Sequence, residues 1–166
     1  MYCEGLQALQ GFQFLTALQE LLLGPFSEEL NDFPLTISAN DDDASSLQSK
    51  NPLILPCLRE LCIHGWAALQ SPPHHLQRFT TLKALHIWNF SKLTELPEWL
   101  GNLTSLEELS IRECKNLSHL PSKEQMQRLT LLQKLVIYHC PGLKESCSRD
   151  GEEWPKISHI PQIFIY

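Results

Sequence analysis

LPEWLGNLTSLEELSIRECKNLSHLP, residues 96–121, places apolar side chains at Leu100, Leu103, Leu106, Leu109, Ile111, Leu117 and Leu120, with Cys114 between Ile111 and Leu117. Steps of three followed by a step of two suit neither an amphipathic helix nor an alternating strand over the whole length. The Leu-x-Ile core suits a short strand, and the residues after it suit a turn and a return limb. A unit of this size has no second layer against which to bury its apolar side, so it requires copies of itself.

The copies are present. One runs through Leu76, Phe79, Leu82, Leu85 and Ile87 and closes on Phe90, Leu93, Leu96 and Pro97. Another runs through Met126, Leu129, Leu132, Leu135 and Ile137, followed by Cys140 and Leu143. Leu55, Leu58, Leu61 and Ile63 lead to Trp66, Leu69, Pro72 and Pro73, and Phe12, Leu15, Leu18, Leu21 and Leu23 lead to Phe26, Leu30, Phe33 and Pro34. The chain closes on Trp154, Ile157, Ile160, Ile163 and Ile165. This is the pattern of a leucine-rich repeat. The expected fold is an α/β repeat solenoid, one domain over residues 1–166 with about six repeats. Parallel strands line the concave side, with cores near 21–23, 61–63, 85–87, 109–111, 135–137 and 163–165, and loops or short helical turns lie on the convex side.

Anchors Leu61, Leu85 and Leu109 are 24 residues apart, Leu109 to Leu135 is 26 and Leu135 to Ile163 is 28, whereas Leu21 to Leu61 is 40. The surplus lies in LTISANDDDASSLQSKNP, residues 35–52. That run has too little apolar surface to offset its ordering entropy, so it is expected to be a polar loop between repeats. Residues 1–11 continue the repeat spacing backward and carry no polar cap, which an array normally needs at its ends. A fragment of a longer array is therefore expected. Proline after the limb, as at Pro97 and Pro121, ends it without requiring a hydrogen-bond donor. Short helical turns are expected at Glu98–Leu100 and Lys123–Arg128.

With 166 residues, 43 % of them apolar, the chain has enough core for a solenoid, and its net charge of −6 disfavours nucleic acid or an anionic membrane as the partner. No apolar run approaches the roughly 20 residues of a membrane span, and the first residues do not read as a secretory leader. Six cysteines fall short of a disulfide scaffold. Cys114 and Cys140 stand where other copies place Trp66, Phe90 and Phe26, which marks an inward apolar position and points to a reducing compartment.

Side chains alternate along a strand, so the residue between two anchors faces outward. The outward row is Leu22, Cys62, His86, Ser110, Val136 and Phe164. Two places on lie Gly24, His64, Trp88, Arg112, Tyr138 and Tyr166, and two places before lie Glu20, Glu60, Ala84, Glu108, Lys134 and Gln162. Aromatic side chains grouped with an arginine are what protein interfaces favour. The candidate partner-binding set is His64, His86, Trp88, Ser110, Arg112, Lys134, Val136, Tyr138, Phe164 and Tyr166, with Ser110 expected to face solvent. Cys62, His64 and His86 are of zinc-binding types, but a fourth ligand and the usual ligand spacings are missing. No metal, cofactor or catalytic residue is expected. Gly-x-Ser-x-Gly and phosphate-cradling glycine loops are absent, and Gly101 and Gly151 are isolated turn glycines.

The stretch 96–121, LTLLQKLVIYHCPGLKESC at 129–147, EEWPKISHIPQIFIY at 152–166 and LTALQELLLGPFSEELNDFP at 15–34 resemble the C-terminal repeats of plant intracellular nucleotide-binding leucine-rich-repeat disease-resistance proteins. Extracellular plant repeats carry instead an Asn ladder and a Gly-x-Ile-Pro turn, both absent here. The resemblance covers essentially the whole chain and implies a cytoplasmic, non-catalytic recognition module of an immune receptor. In relatives such repeats restrain a nucleotide-binding switch domain until a pathogen effector or a modified host protein relieves the contact. Expected partners are therefore proteins: an effector, a guarded host protein, or the receptor's own nucleotide-binding domain. The chain departs from the family in lacking the coiled-coil and nucleotide-binding domains. It has no Walker A lysine, so nucleotide binding does not carry over. A substrate-recruiting region of an F-box ubiquitin ligase and a non-functional truncated relic are the alternatives.

Overall fold

A computed structural model describes residues 16–24, 55–65 and 70–166. The expectations for residues 1–11, for the polar run 35–52, and for Phe12, Phe26, Leu30, Phe33, Trp66 and Leu69 lie outside the described residues.

Six strands form one parallel sheet in chain order: β1 (Glu20–Leu23), β2 (Glu60–His64), β3 (Ala84–Trp88), β4 (Glu108–Arg112), β5 (Lys134–Tyr138) and β6 (Gln162–Ile165). The anchors fall in one register across the sheet. Leu61 pairs with Leu85, Leu85 with Leu109, Leu109 with Leu135, and Leu135 with Ile163. Parallel strands cannot be joined by a tight hairpin, so each limb must travel the long way back before the next strand starts. The result is a leucine-rich-repeat solenoid with strands on one side and limbs on the other.

The core is the space between strands and limbs. In the unit from residue 100, Leu100, Leu103, Leu106, Leu109, Ile111, Cys114, Leu117 and Leu120 are all buried, and the unit from Leu76 to Leu96 buries the same eight positions with Phe90 in place of Cys114. Steps of three carry the chain through the turn and put every third side chain inside. The step of two is the strand.

The limbs close with short helical pieces. Single 3₁₀ turns occupy His74–Arg78 and Glu98–Asn102, each entered from a proline, Pro73 or Pro97, whose fixed φ suits that position. Helix α1 is Lys123–Arg128, capped by Ser122, whose side chain accepts the Gln125 N–H at 3.4 Å. The Ser122 hydroxyl and N–H also donate to Glu98 of the preceding limb, at 2.6 and 2.8 Å. Two further helices, α2 (Pro141–Ser146) and α3 (Trp154–Ile157), carry a proline at their first and second residue respectively and have no counterpart among the sequence expectations.

At the end of the strands the chain turns through the left-handed region, at Gly65 (φ 70°), Asn89 (58°), Glu113 (57°) and His139 (53°). There the N–H groups still point across the sheet: Gly65 donates to Trp88 O, Asn89 to Arg112 O and Glu113 to Tyr138 O at 2.8–2.9 Å. Glycine and asparagine take this conformation readily. Glutamate does so at some cost, which the added ladder bond from Glu113 N–H to Tyr138 O offsets.

Cys114 and Cys140, fully buried, are neighbours in successive repeats, and the Cys114 N–H points at the Cys140 sulfur, 3.3 Å away. The contact with Cys140, together with burial, pushes the Cys114 thiol up. Burial pushes the thiols of Cys62 and Cys147 up to about 12. Cys57 is exposed. Because alkylation needs access to the sulfur, reagent added to the native chain is expected to modify Cys57 and spare the buried Cys62, Cys114, Cys140 and Cys147 until denaturant is added. Peptide mass spectrometry reads this directly. Labelling of Cys114 at the rate of Cys57 would mean that the interior between strands and limbs is open.

Candidate functional site

Because the strands stack in register, the side chains on the concave side form three columns. The first is Glu60, Ala84, Glu108, Lys134 and Gln162, the second Cys62, His86, Ser110, Val136 and Phe164, and the third His64, Trp88, Arg112 and Tyr138. Tyr166 lies just past β6, and its N–H donates to Ile137 O at 3.0 Å.

Both carboxylates of the first column have a partner on the face. Lys134 Nζ contacts Glu108 at 3.1 and 3.2 Å. His86 Nε2 lies 3.3 Å from Glu60. Burial lowers the His86 pKa, so near neutral pH this contact is a hydrogen bond from a neutral imidazole rather than an ion pair.

The second column corrects the sequence expectation. Ser110 is 0 % exposed and Val136 9 %, so neither faces solvent, and Cys62 is buried as well. Their side chains do point to the concave side, but parallel neighbours stand only about 4.8 Å apart, and longer side chains close over short ones. Arg112 Nε donates to Ser110 Oγ at 3.1 Å and lies across it. Of this column, His86 is half-buried and Phe164 is 38 % exposed. Ser110 and Val136 therefore support the face rather than present it.

The third column is aromatic and cationic. The Arg112 guanidinium sits 5.2 Å from the centre of the Trp88 ring, within cation–π range. His64 meets the same indole edge-on at 6.3 Å between centroids, and His86 lies 5.9 Å away. Tyr138 stacks on His139 at 4.0 Å and meets Tyr166 edge-on at 6.1 Å, and Tyr166 lies parallel to Phe164. Tyr138 is 37 % exposed and Tyr166 56 %. His64, Trp88, Arg112, Glu113 and Tyr138 line a recess of about 170 Å³ at the strand ends. Two buried polar atoms of this face, Trp88 Nε1 and His86 Nδ1, have no hydrogen-bond partner among the described residues.

Sequence reading missed Glu113 and His139 as members of this face, because their side chains are aimed by the left-handed turn and not by strand alternation. Their positions, one residue past the strand like Gly65 and Asn89, are the signal that would have found them. Among the described residues no group of three or more His, Cys, Asp or Glu side chains is placed to hold a metal ion. No helix among the described residues is long and apolar enough to cross a membrane. The arrangement offers contact area, one forked cation and several aromatic faces, which suit binding.

Residues 74–140 match the family model described as R13L1/DRL21 LRRs, that is, leucine-rich repeats. The chain is 35 % identical over 92 residues to the disease resistance protein RPH8A of Arabidopsis thaliana, covering 51 % of this chain and 9 % of that protein. It is 31 % identical over 106 residues to the disease resistance protein RPS4B of the same plant, covering 64 % of this chain and 9 % of the relative. A third relative, the disease resistance protein RPP4, is 30 % identical over 97 residues, with 57 % and 8 % covered. The matched region thus spans under a tenth of the length of these relatives.

Proposed function

We propose, on the premise that this chain is a leucine-rich-repeat region of the plant disease-resistance type, that it is a non-catalytic recognition and regulatory module of an immune receptor. It acts in the cytoplasm, in the defence response, by binding protein. Its partner is a pathogen effector, a guarded host protein or the nucleotide-binding switch domain of the receptor itself. A partner that binds the restrained and released states with different affinity shifts the balance between them, which is all that such a switch requires.

The observation that carries this reading is the third concave column. Trp88, Tyr138 and Tyr166 are large side chains held by neighbouring rings on a rigid sheet, so they lose little further freedom when a partner covers them. The relatives' disease-resistance names support the defence setting.

The test is a paired substitution, Trp88→Ala with Tyr138→Ala. The variant is expected to keep the wild-type circular dichroism spectrum and to lose the proteins that co-purify with the tagged chain from plant tissue. Undiminished recovery of the same proteins would place the binding surface off the concave side.

A further inference from the structure

We propose that the recess between Trp88 and Arg112 receives one carboxylate side chain from an acidic linear peptide segment of a protein partner. This rests on the reading of the concave side as the binding surface and adds the chemistry of what it binds.

Charge singles out Arg112. The cations in the concave columns are Lys134 and Arg112. Lys134 is engaged by Glu108 at 3.1 Å, whereas Arg112 contacts no carboxylate among the described residues. Its one hydrogen bond among the described residues, Nε to Ser110, fixes the plane of the guanidinium and leaves both terminal nitrogens without a partner there. That is the donor pair with which arginine grips a carboxylate at two points. Trp88 lies under the guanidinium and sets it 5.2 Å above the ring, so the fork is already oriented before anything binds. Preorganisation of this kind removes part of the ordering cost of association.

The indole contributes its face rather than its N–H, since Trp88 Nε1 is buried away from solvent. An incoming Asp or Glu side chain thus meets the terminal N–H groups of a fork held over an aromatic ring. His64 and Tyr138 flank it on either side. Glu113 is the opposing group: it lines the same recess and repels an incoming carboxylate, so it weakens the attraction that Arg112 supplies. With Glu60 and Glu108 already paired to His86 and Lys134, the column beside the recess has no free cation to hold a polyanion such as nucleic acid.

The experiment pans a phage-displayed library of random linear peptides against the full chain, then titrates recovered synthetic peptides by tryptophan fluorescence. Recovered sequences are expected to be enriched in Asp or Glu. Their affinity should fall roughly ten- to hundredfold in Arg112→Gln, rise in Glu113→Gln, and weaken with added salt. Both positions are exposed, so both variants should fold as the wild type does. Peptides lost in the Trp88→Ala and Tyr138→Ala pair but indifferent to Arg112→Gln, or recovered without acidic enrichment, overturn the carboxylate proposal and leave the concave-side reading standing. Peptides indifferent to all of these substitutions overturn both. Recovery of no peptide overturns the proposal, because a linear segment is what it specifies.

Discussion

Replacing Leu109 by alanine is expected to destabilise the chain by roughly 2–5 kcal/mol, the range for truncating a fully buried leucine whose surroundings do not collapse. Leu109 is 0 % exposed and pairs with Leu85 on one side and Leu135 on the other. In a solenoid the repeats above and below are held at fixed spacing by the ladder, so little can move in to fill the space. Its neighbour Ser110 gives the contrast. Ser110→Ala removes a hydroxyl that accepts from Arg112 and should cost only about 1 kcal/mol. Urea denaturation with an unchanged slope reads both. Equal losses at the two positions would mean that the inward and outward sets have been exchanged.

Glu153→Ala is expected to cost roughly 1–3 kcal/mol, because it leaves the buried Leu120 N–H without its acceptor. The Glu153 side chain is 4 % exposed, accepts the Leu120 N–H at 2.9 Å and lies 2.8 Å from Lys156 Nζ. Lys156 donates in turn to Leu120 O at 3.2 Å, and His119 Nδ1 lies 3.5 Å from the same carboxylate. The alanine variant leaves the Leu120 N–H without an acceptor and Lys156 with only the Leu120 carbonyl, and it loosens α3 from the limb it packs on. Glu153→Gln keeps an acceptor but loses the charge, so it should fall between. Thermal melts monitored by circular dichroism decide the matter: a loss below about 1 kcal/mol for the alanine variant, as for an ordinary surface position, would sink the idea that Glu153 joins the last repeats.

Leu109 and Glu153 differ in how plainly the sequence marks them. Leu109 was legible because its role depends only on spacing: Leu61, Leu85 and Leu109 recur every 24 residues and pair across the sheet as that recurrence requires. The repeat solenoid and its parallel strands came from the same arithmetic. Glu153 was not legible, because its partner Leu120 lies 33 residues earlier in the chain and nothing local distinguishes it from Glu152. Ser110 failed for another reason. Alternation gives the direction of a side chain but not what neighbouring strands lay over it, and Arg112 covers a residue that is two places away in its own strand. The aromatic column was legible in composition, at Trp88, Tyr138 and Tyr166. The recess between them was not, since Glu113 enters it through a backbone conformation that its residue type does not favour. Helices α2 and α3 carried only a proline each as a start signal, too little beside a repeat pattern that dominates the same residues.

The limbs have a further consequence for the shape of the trough. On the strand side every repeat is one ladder spacing thick, roughly 4.8 Å. On the other side thickness depends on what the limb contains. A lone 3₁₀ turn, as at His74–Arg78 and Glu98–Asn102, is slender, whereas α1 needs nearer 10 Å with its side chains. A repeat thicker at the back than at its ladder is a wedge, and stacked wedges bend toward their strand side. The arc is therefore expected to be tighter after α1 than before it, which would set Tyr138, Phe164 and Tyr166 on a more steeply curved part of the sheet than Trp88 and Arg112.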